Sequence, residues 1–297
     1  MVTRLAPKTL LALLLLLLAL LLWLQLSVTF NWWPHEPGLA SRFRNTASIV
    51  GFALAFLLNL EIAREYRQTR LLRWAWLALA ANAGISVIRM ILEGHWLKLI
   101  WPDYTTPVRG LWQHLAIVPA NVCLLVGVAA LCLAYHRVGV GLEIRRRDYA
   151  LIAIIAAVLI ALLTYREGLT EANSPYPAGR YLQQLGLILL ALISAMSVLL
   201  HGMALRMGGG LLARVLLLIT LYAMGRSTLV LLSAIAPLLH PDARLFIKLV
   251  IELGWLTVVW LPALAAAYRI QMTMDARRET KQFERQRLTG QAAPLSA

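Results

Sequence analysis

Residues 10–26 read LLALLLLLLALLLWLQL, a run in which Gln25 is the one polar residue. A helix needs about 20 predominantly apolar residues to cross roughly 30 Å of hydrocarbon. The run lacks the period-two alternation of a membrane β-barrel strand. It therefore predicts a transmembrane helix, and seven further segments share its length and apolar character. The eight predicted spans are residues 9–29, 47–66, 72–93, 111–136, 149–165, 181–205, 211–237 and 245–269.

The composition of the whole chain agrees with this fold class. Of its 297 residues, 60% are hydrophobic and 14% are charged, and the mean hydropathy is +0.72. A soluble domain of this length does not contain so many long apolar runs. We expect an all-α integral membrane protein, a bundle of about eight transmembrane helices.

The basic residues predict how this bundle is oriented. With both termini on the cytoplasmic side, the inner segments and the tail carry 18 lysines and arginines and the outer segments carry 8. This asymmetry follows the positive-inside rule and explains the net charge of +14 without nucleic acid. No basic face carries interleaved aromatic residues, so nucleic-acid binding is not expected. The outer set consists of Arg42, Arg44, Lys98, Arg109, Arg166, Arg180, Arg244 and Lys248.

Three regions are predicted along the chain. Residues 1–30 form a signal-anchor helix, residues 46–270 a seven-helix core, and residues 271–297 a basic cytoplasmic tail. The first apolar run is longer than the 7–15 residues of a signal peptide and no small-residue cleavage site follows, so we expect a retained anchor. Cleavage would leave a seven-helix bundle with its N-terminus outside. The segment from Tyr268 to Gly290 is charged and helix-prone.

Polar residues inside the predicted spans recur at helical spacing. Asn82, Ser86, Arg89 and Glu93 lie at offsets of 0, 4, 7 and 11, which places them on one helical face. Asn121, Arg226 and Glu252 lie within other spans, and Arg226 and Glu252 fall at similar estimated depths. We predict that Arg226 pairs with Glu252, and that Arg89 and Lys248 serve the same acidic centre or Glu93. A carboxylate would offset the cost of an arginine at mid-membrane.

Three interpretations of these polar residues remain open. They hold the helices in register through a buried ion pair and amide hydrogen bonds. Alternatively, they line an outward-facing cavity that binds a small anionic group, since cations with few carboxylates suit a carboxylate or phosphate. A proton relay through Glu252 and His114 is a third alternative. The candidate ligand-binding residues are Asn82, Arg89, Asn121, Arg226 and Glu252, and the candidate ion-pair residues are Arg226, Glu252, Lys248 and Glu93.

No cofactor, metal or catalytic motif is evident. His136 and His201 lie near the inner ends of their spans, which would permit haem ligation by depth alone. His136, however, adjoins Arg137 at the basic boundary, where a solvated histidine is the ordinary outcome. Cys123 and Cys132 are nine residues apart on one helix, and no zinc-ligand spacing involves them. Nucleophile, phosphate-loop and metalloprotease motifs are absent, so no catalytic residue is assigned.

Three functions remain open for such a protein. The first is that of a receptor-like or sensory bundle that binds a small ligand and signals through its cytoplasmic tail. Alternatively, it is a non-catalytic accessory or assembly subunit of a larger membrane complex, or a transporter of an anionic or lipid-linked substrate. We expect it in the inner (plasma) membrane of a bacterium, in contact with lipid and with a membrane or cytoplasmic partner at the tail. Its arrangement resembles the seven-helix modules of bacterial sensors in topology alone.

Overall fold

All regular structure in the described part of the chain is α-helical. The computed structural model describes residues 7–30, 32, 38–93, 106–140, 177–208, 210–236 and 240–288, with isolated positions at 150, 154, 157, 158 and 161. Seven helices there are long and apolar enough to cross a membrane, which indicates a multi-pass membrane protein. They are α1 (Pro7–Thr29), α2 (Leu39–Glu65), α3 (Arg70–Glu93), α4 (Thr106–Arg137), α5 (Pro177–Arg206), α6 (Leu211–Ile235) and α7 (Pro241–Leu288).

Six of these helices form a closed ring. Each of α2 to α7 packs against the next helix in the chain, and α7 packs back against α2. Helix α1 lies outside the ring, against α7 and α2. Many of its leucines are exposed, as is usual for a helix that contacts lipid. Because every ring helix has two neighbours, polar side chains that face inward from different helices meet in the interior.

The helix directions follow from the residues that touch. Asn121 bonds to Gly186 and Cys132 to Met196, so α4 and α5 run in the same direction. Consequently, Arg137 and Pro177 lie at opposite ends of the bundle. The predicted span at 149–165 falls between them, and only its residues 150, 154, 157, 158 and 161 are described. The count of eight crossings therefore stays a prediction.

Helix α7 extends beyond one end of the ring, which we call the tail end. There α2 ends at Glu65 and α3 begins at Arg70. Helix α7 passes the end of α2 and continues without interruption to Leu288, so its 48 residues are about 72 Å long. Side chains from Ala276 to Glu284 are exposed. The helix-prone character predicted for the tail is confirmed as far as Leu288.

Helix α2 begins earlier than the predicted span at 47–66. It starts at Leu39, after Gly38, whose positive φ of 86° favours glycine. Arg42 and Arg44 lie in its first two turns and lower the local hydropathy, which is why the sequence pattern assigned them to a loop. Arg44 is tolerated there because Glu252 of α7 lies opposite it.

Candidate functional site

A network of buried polar side chains joins α3, α4, α5 and α6 near the middle of the bundle. Tyr222 donates a hydrogen bond to Asn82 Oδ1 (2.8 Å), and Asn82 Nδ2 donates to the carbonyl of Ala120 (2.7 Å). Arg226 donates to the Tyr222 hydroxyl (3.3 Å) and to Asn121 Oδ1 (2.9 Å). Four helices are therefore connected through one arginine, one tyrosine and two asparagines, which we call the Arg226 network.

Local sequence explains why these groups converge. Tyr222 and Arg226 are four residues apart on α6 and share one face. Asn121 completes its own bonding by donating from Nδ2 to the carbonyl of Gly186 (2.9 Å). A Cβ atom at position 186 would lie 3.1 Å from Ile117 Cγ2. The glycine thus lets α5 lie close enough for its backbone to accept this bond.

Arg226 carries a positive charge with no carboxylate beside it in the described part of the chain. The residue is 6% exposed, and within the described ranges no Asp or Glu forms an ion pair with it. Its partners are the neutral oxygens of Asn121 and Tyr222 and the ring of Tyr222, whose centroid is 5.6 Å from the guanidinium carbon. Two hydrogen bonds engage two of the five N–H donors, which leaves donors for a further acceptor.

The predicted ion pair between Arg226 and Glu252 is wrong. Glu252 lies 3.8 Å from Arg44 of α2 instead. Contacts of Gly225 with Val258 and of Gly254 with Leu229 place Glu252 opposite a residue about five positions beyond Arg226, an axial offset of roughly 7 Å. The sequence estimate measured depth from assumed helix ends and missed this offset, and it left Arg44 out of the bundle.

The predicted site residues do not all lie in the Arg226 network. Of the five predicted ligand-binding residues, Asn82, Asn121 and Arg226 belong to one network, whereas Glu252 does not. Arg89 lies half-buried on α3, two turns from Asn82, and is not a hydrogen-bond partner of these three residues. Lys248 is exposed, and the side chains of Glu93 and His114 lie outside the description.

Tyr222 is not among the predicted site residues, although it is the central link of the Arg226 network. Its position four residues before Arg226 was the available signal. Asn59 of α2 and Trp76 of α3 were missed as well. These two residues border an internal cavity together with Asn82 and Tyr222.

The described histidines and cysteines lie at separate positions in the bundle. His136 is exposed at the end of α4 and His201 is half-buried on α5. Among the described residues, no group of three or more His, Cys, Asp or Glu side chains is placed to bind an ion. Haem at His136 and His201 is not tested by these observations.

A second polar cluster lies at the tail end, where α7 leaves the ring. Arg269 donates from Nε and from its second terminal nitrogen to the Tyr66 hydroxyl, and from the remaining one to Thr273 (3.3 Å). Two turns further on, Arg277 lies 3.4 Å from Glu65. The end of α2 therefore holds α7 at two points.

Comparison of the chain with protein-family models, with curated proteins and with solved structures finds no match. Any assignment of function therefore rests on the Arg226 network and on the course of α7.

Proposed function

We propose that this protein is a receptor-like membrane bundle that binds a small anionic group at Arg226 and signals through α7. One observation carries the proposal: Arg226 is buried among neutral acceptors with no carboxylate in ion-pair distance among the described residues. An arginine at mid-membrane costs about 2.5–3.5 kcal/mol on insertion scales. An anion that binds there recovers part of this cost.

The chemistry of Arg226 indicates the class of ligand. A guanidinium presents paired N–H donors that match the two oxygens of a carboxylate or phosphate. Asn121 of α4 accepts a hydrogen bond from one edge of the guanidinium, and the Tyr222 ring of α6 lies against its face. A small carboxylate or a phosphate therefore fits the free donors better than a neutral ligand does.

The same network would also hold helices together, but that role does not require a charge. Asn82 and Asn121 already connect three helices, because their side-chain amides donate hydrogen bonds to backbone carbonyls of the neighbouring helix. A neutral glutamine at position 226 would supply a donor to Asn121 without the cost of burying a cation. The charge is thus the feature that anion binding explains and helix packing alone does not.

Helix α7 offers a direct path from this site to the tail. Gly225, next to Arg226, packs so closely against α7 that an added Cβ would lie 2.7 Å from Val258 Cγ2. A shift of α6 on ligand binding would therefore move α7. Because α7 is one continuous helix to Leu288, the displacement reaches the exposed tail.

Anion-dependent thermal stabilisation tests the binding site. The full chain in lipid nanodiscs is heated with increasing acetate or phosphate at constant ionic strength, because a ligand stabilises the state that it binds. We expect the unfolding midpoint to rise for the wild type and for Arg214→Gln, an exposed arginine on the same helix. Arg226→Gln is expected to lose the response, and Arg226→Lys to keep a weaker one. An unchanged response in Arg226→Gln would refute anion binding at this residue.

Distance measurements test the signalling part. Spin labels at Lys281 and Arg206, both exposed, report the position of the tail relative to the end of α5. We expect the distance distribution to change when a stabilising anion is added, and not in Arg226→Gln. A binding response without any change in this distance would separate binding from signalling and favour a binding-only role.

We also propose that the tail end faces the cytoplasm in an inner membrane. The described basic residues concentrate there, which the positive-inside rule predicts for a cytoplasmic end. A thiol introduced at Lys281 should react with a membrane-impermeant reagent only after the cells are opened. Reaction in intact cells would reverse the orientation. The tail-end residues are Arg64, Arg67, Arg70, Arg73, Arg137, Arg206, Arg214, Arg269, Arg277, Arg278 and Lys281.

A second function, that of an accessory subunit, is favoured by the exposed tail. Beyond Asp275 the described part of α7 carries exposed charged residues and the exposed Phe283. Such a surface suits a separate protein partner. Stoichiometric copurification of a partner with the full chain, lost when Phe283 is replaced by Glu, would support this alternative. Retention of the partner by that variant would exclude the tail as its binding surface.

A further inference from the structure

An internal cavity lies where α2, α3, α6 and α7 meet. Its lining consists of Asn59, Trp76, Leu79, Asn82, Ile219, Tyr222 and Pro262. The space that the centre of a water molecule can occupy is about 10 Å³, roughly what a single buried water requires. The cavity is thus large enough for one water and too small for an organic ligand.

Two polar side chains at this cavity have no hydrogen-bond partner among the described residues. Asn59 is 1% exposed, and both its Nδ2 and its Oδ1 lack a partner in that part of the chain. Trp76 is equally buried, and its Nε1 donor likewise has no described partner. Each such group costs several kcal/mol in an apolar medium. Three unpaired atoms beside one cavity are therefore evidence for an occupant that bonds to them.

The rest of the lining supplies further polar partners. Tyr222 and Asn82 belong to the Arg226 network and also border the cavity. Pro262 has no N–H, so the Val258 carbonyl one turn earlier in α7 lacks its helical donor. Ordered water is one of the ways in which membrane helices satisfy such carbonyls.

We propose that this cavity binds one structural water molecule. The water accepts a hydrogen bond from the N–H of Trp76 and forms another with the Asn59 amide. A third partner is Tyr222 or Asn82, so the water has the two to four partners that are usual for a buried water. An apolar cavity of this size would stay dry, but the polar lining here favours occupancy. The proposal is independent of anion binding at Arg226.

The bound water has a consequence for the architecture. Hydrogen bonds between protein groups connect the Arg226 network to α3, α4, α5 and α6. The water adds α2 through Asn59 and places the network against α7 at Pro262. All six helices of the ring then surround one continuous polar interior.

A structure of the full chain in nanodiscs, at a resolution that shows buried water, tests the proposal. We expect a density peak roughly 2.7–3.2 Å from an amide atom of Asn59 and from a second lining group. Asn59→Leu, which keeps the number of side-chain heavy atoms, should remove the peak. Asn45→Leu should retain it, because Asn45 lies on the same helix but bonds to Met90.

The outcomes are distinguishable. An empty wild-type cavity with ordered side chains, a direct protein partner for both Asn59 atoms, or an unchanged peak in Asn59→Leu would each overturn the proposal. If Asn59→Leu does not fold, Trp76→Phe keeps an aromatic side chain and removes the N–H donor. The peak should then be lost or move away from position 76, and a peak that stays in place would exclude Trp76 as a partner.

A double-mutant cycle gives a second measurement in solution. Asn59 and Tyr222 share no direct hydrogen bond, so a water bonded to both would add a coupling beyond that of two residues that line one cavity. We expect the midpoint shifts of Asn59→Leu and Tyr222→Phe to combine to less than their sum. Asn45→Leu with Tyr222→Phe is the control pair and should be additive. Additivity in both pairs would contradict a water that bridges the two residues.

Discussion

The protein contains two arginine–tyrosine pairs in different surroundings. Arg226 lies over Tyr222 at 5.6 Å, and Arg269 lies over Tyr66 at 5.1 Å. Both arginines also donate hydrogen bonds to the tyrosine hydroxyl. The first pair is buried in the ring, whereas the second is half-buried at the tail end, where α7 becomes exposed.

The surroundings decide what each charge does. At the tail end a long arginine side chain reaches water or headgroups, so Arg269 retains solvation while it links α7 to α2. In the ring, Arg226 has only neutral partners among the described residues. The same pair of residue types is therefore structural in one place and, in our proposal, a ligand site in the other.

Tyrosine-to-phenylalanine substitutions should show the largest difference between the pairs. Tyr222→Phe leaves Asn82 Oδ1 without its donor and Arg226 without one acceptor, and we expect a loss of about 1–3 kcal/mol of unfolding free energy. Tyr66→Phe should cost less, about 0.5–1.5 kcal/mol, because Arg269 keeps Thr273 and solvent. Denaturant titration of the full chain in mixed micelles measures both. Equal losses would contradict the contrast.

The close packing of Gly225, next to Arg226, should affect the unfolding free energy as strongly as Tyr222 does. Gly225→Ala places a methyl group against Val258, whose β-branched side chain is stiff in a helix, so we expect a loss of about 1–3 kcal/mol. Gly202→Ala on α5 meets no atom within 4 Å and should stabilise by about 0.5–1 kcal/mol through helix propensity. The same titration compares the two variants. A neutral Gly225→Ala would mean that α6 and α7 are not tightly coupled.

Without ligand, removal of Arg269 should lower the unfolding free energy, whereas removal of Arg226 should not. Arg226→Gln keeps a donor for Asn121 and removes an uncompensated charge, so we expect unchanged stability or a gain of about 1 kcal/mol. Arg269→Gln loses bonds between α2 and α7 and should lose about 1 kcal/mol. Destabilisation by Arg226→Gln equal to that by Arg269→Gln would favour a purely structural role for Arg226.

The smallest effect is expected at the edge of the tail-end cluster. Arg277 pairs with Glu65 at 3.4 Å, with side-chain exposures of 64% and 22%. Exposed ion pairs contribute about 0–1 kcal/mol and weaken with salt. Arg277→Gln should therefore lower stability only slightly, and less at high ionic strength. A large, salt-independent loss would show that the tail is held more firmly than this contact indicates.

Hydropathy and periodicity were sufficient for much of the fold. They predicted helical spans that overlap all seven described helices, and they identified Asn82, Asn121 and Arg226 as inward-facing. The early start of α2 was missed because Arg42 and Arg44 resemble loop residues until Glu252 is seen opposite Arg44. Asn59 and Trp76 were missed since a buried unpaired donor is recognisable only when its neighbours are known.

Apolar length and a rise of about 1.5 Å per residue were sufficient to predict the membrane class, the helical segments and the shared face of Asn82, Ser86, Arg89 and Glu93. The partners of the buried polar residues depend on how the helices pack. Close packing at Gly225 and Gly254 sets the axial offset of α6 and α7, which directs Glu252 to Arg44 and leaves Arg226 with Asn121 and Tyr222. Such axial offsets between helices depend on complementary shapes of segments that are distant in sequence, so local periodicity does not predict them.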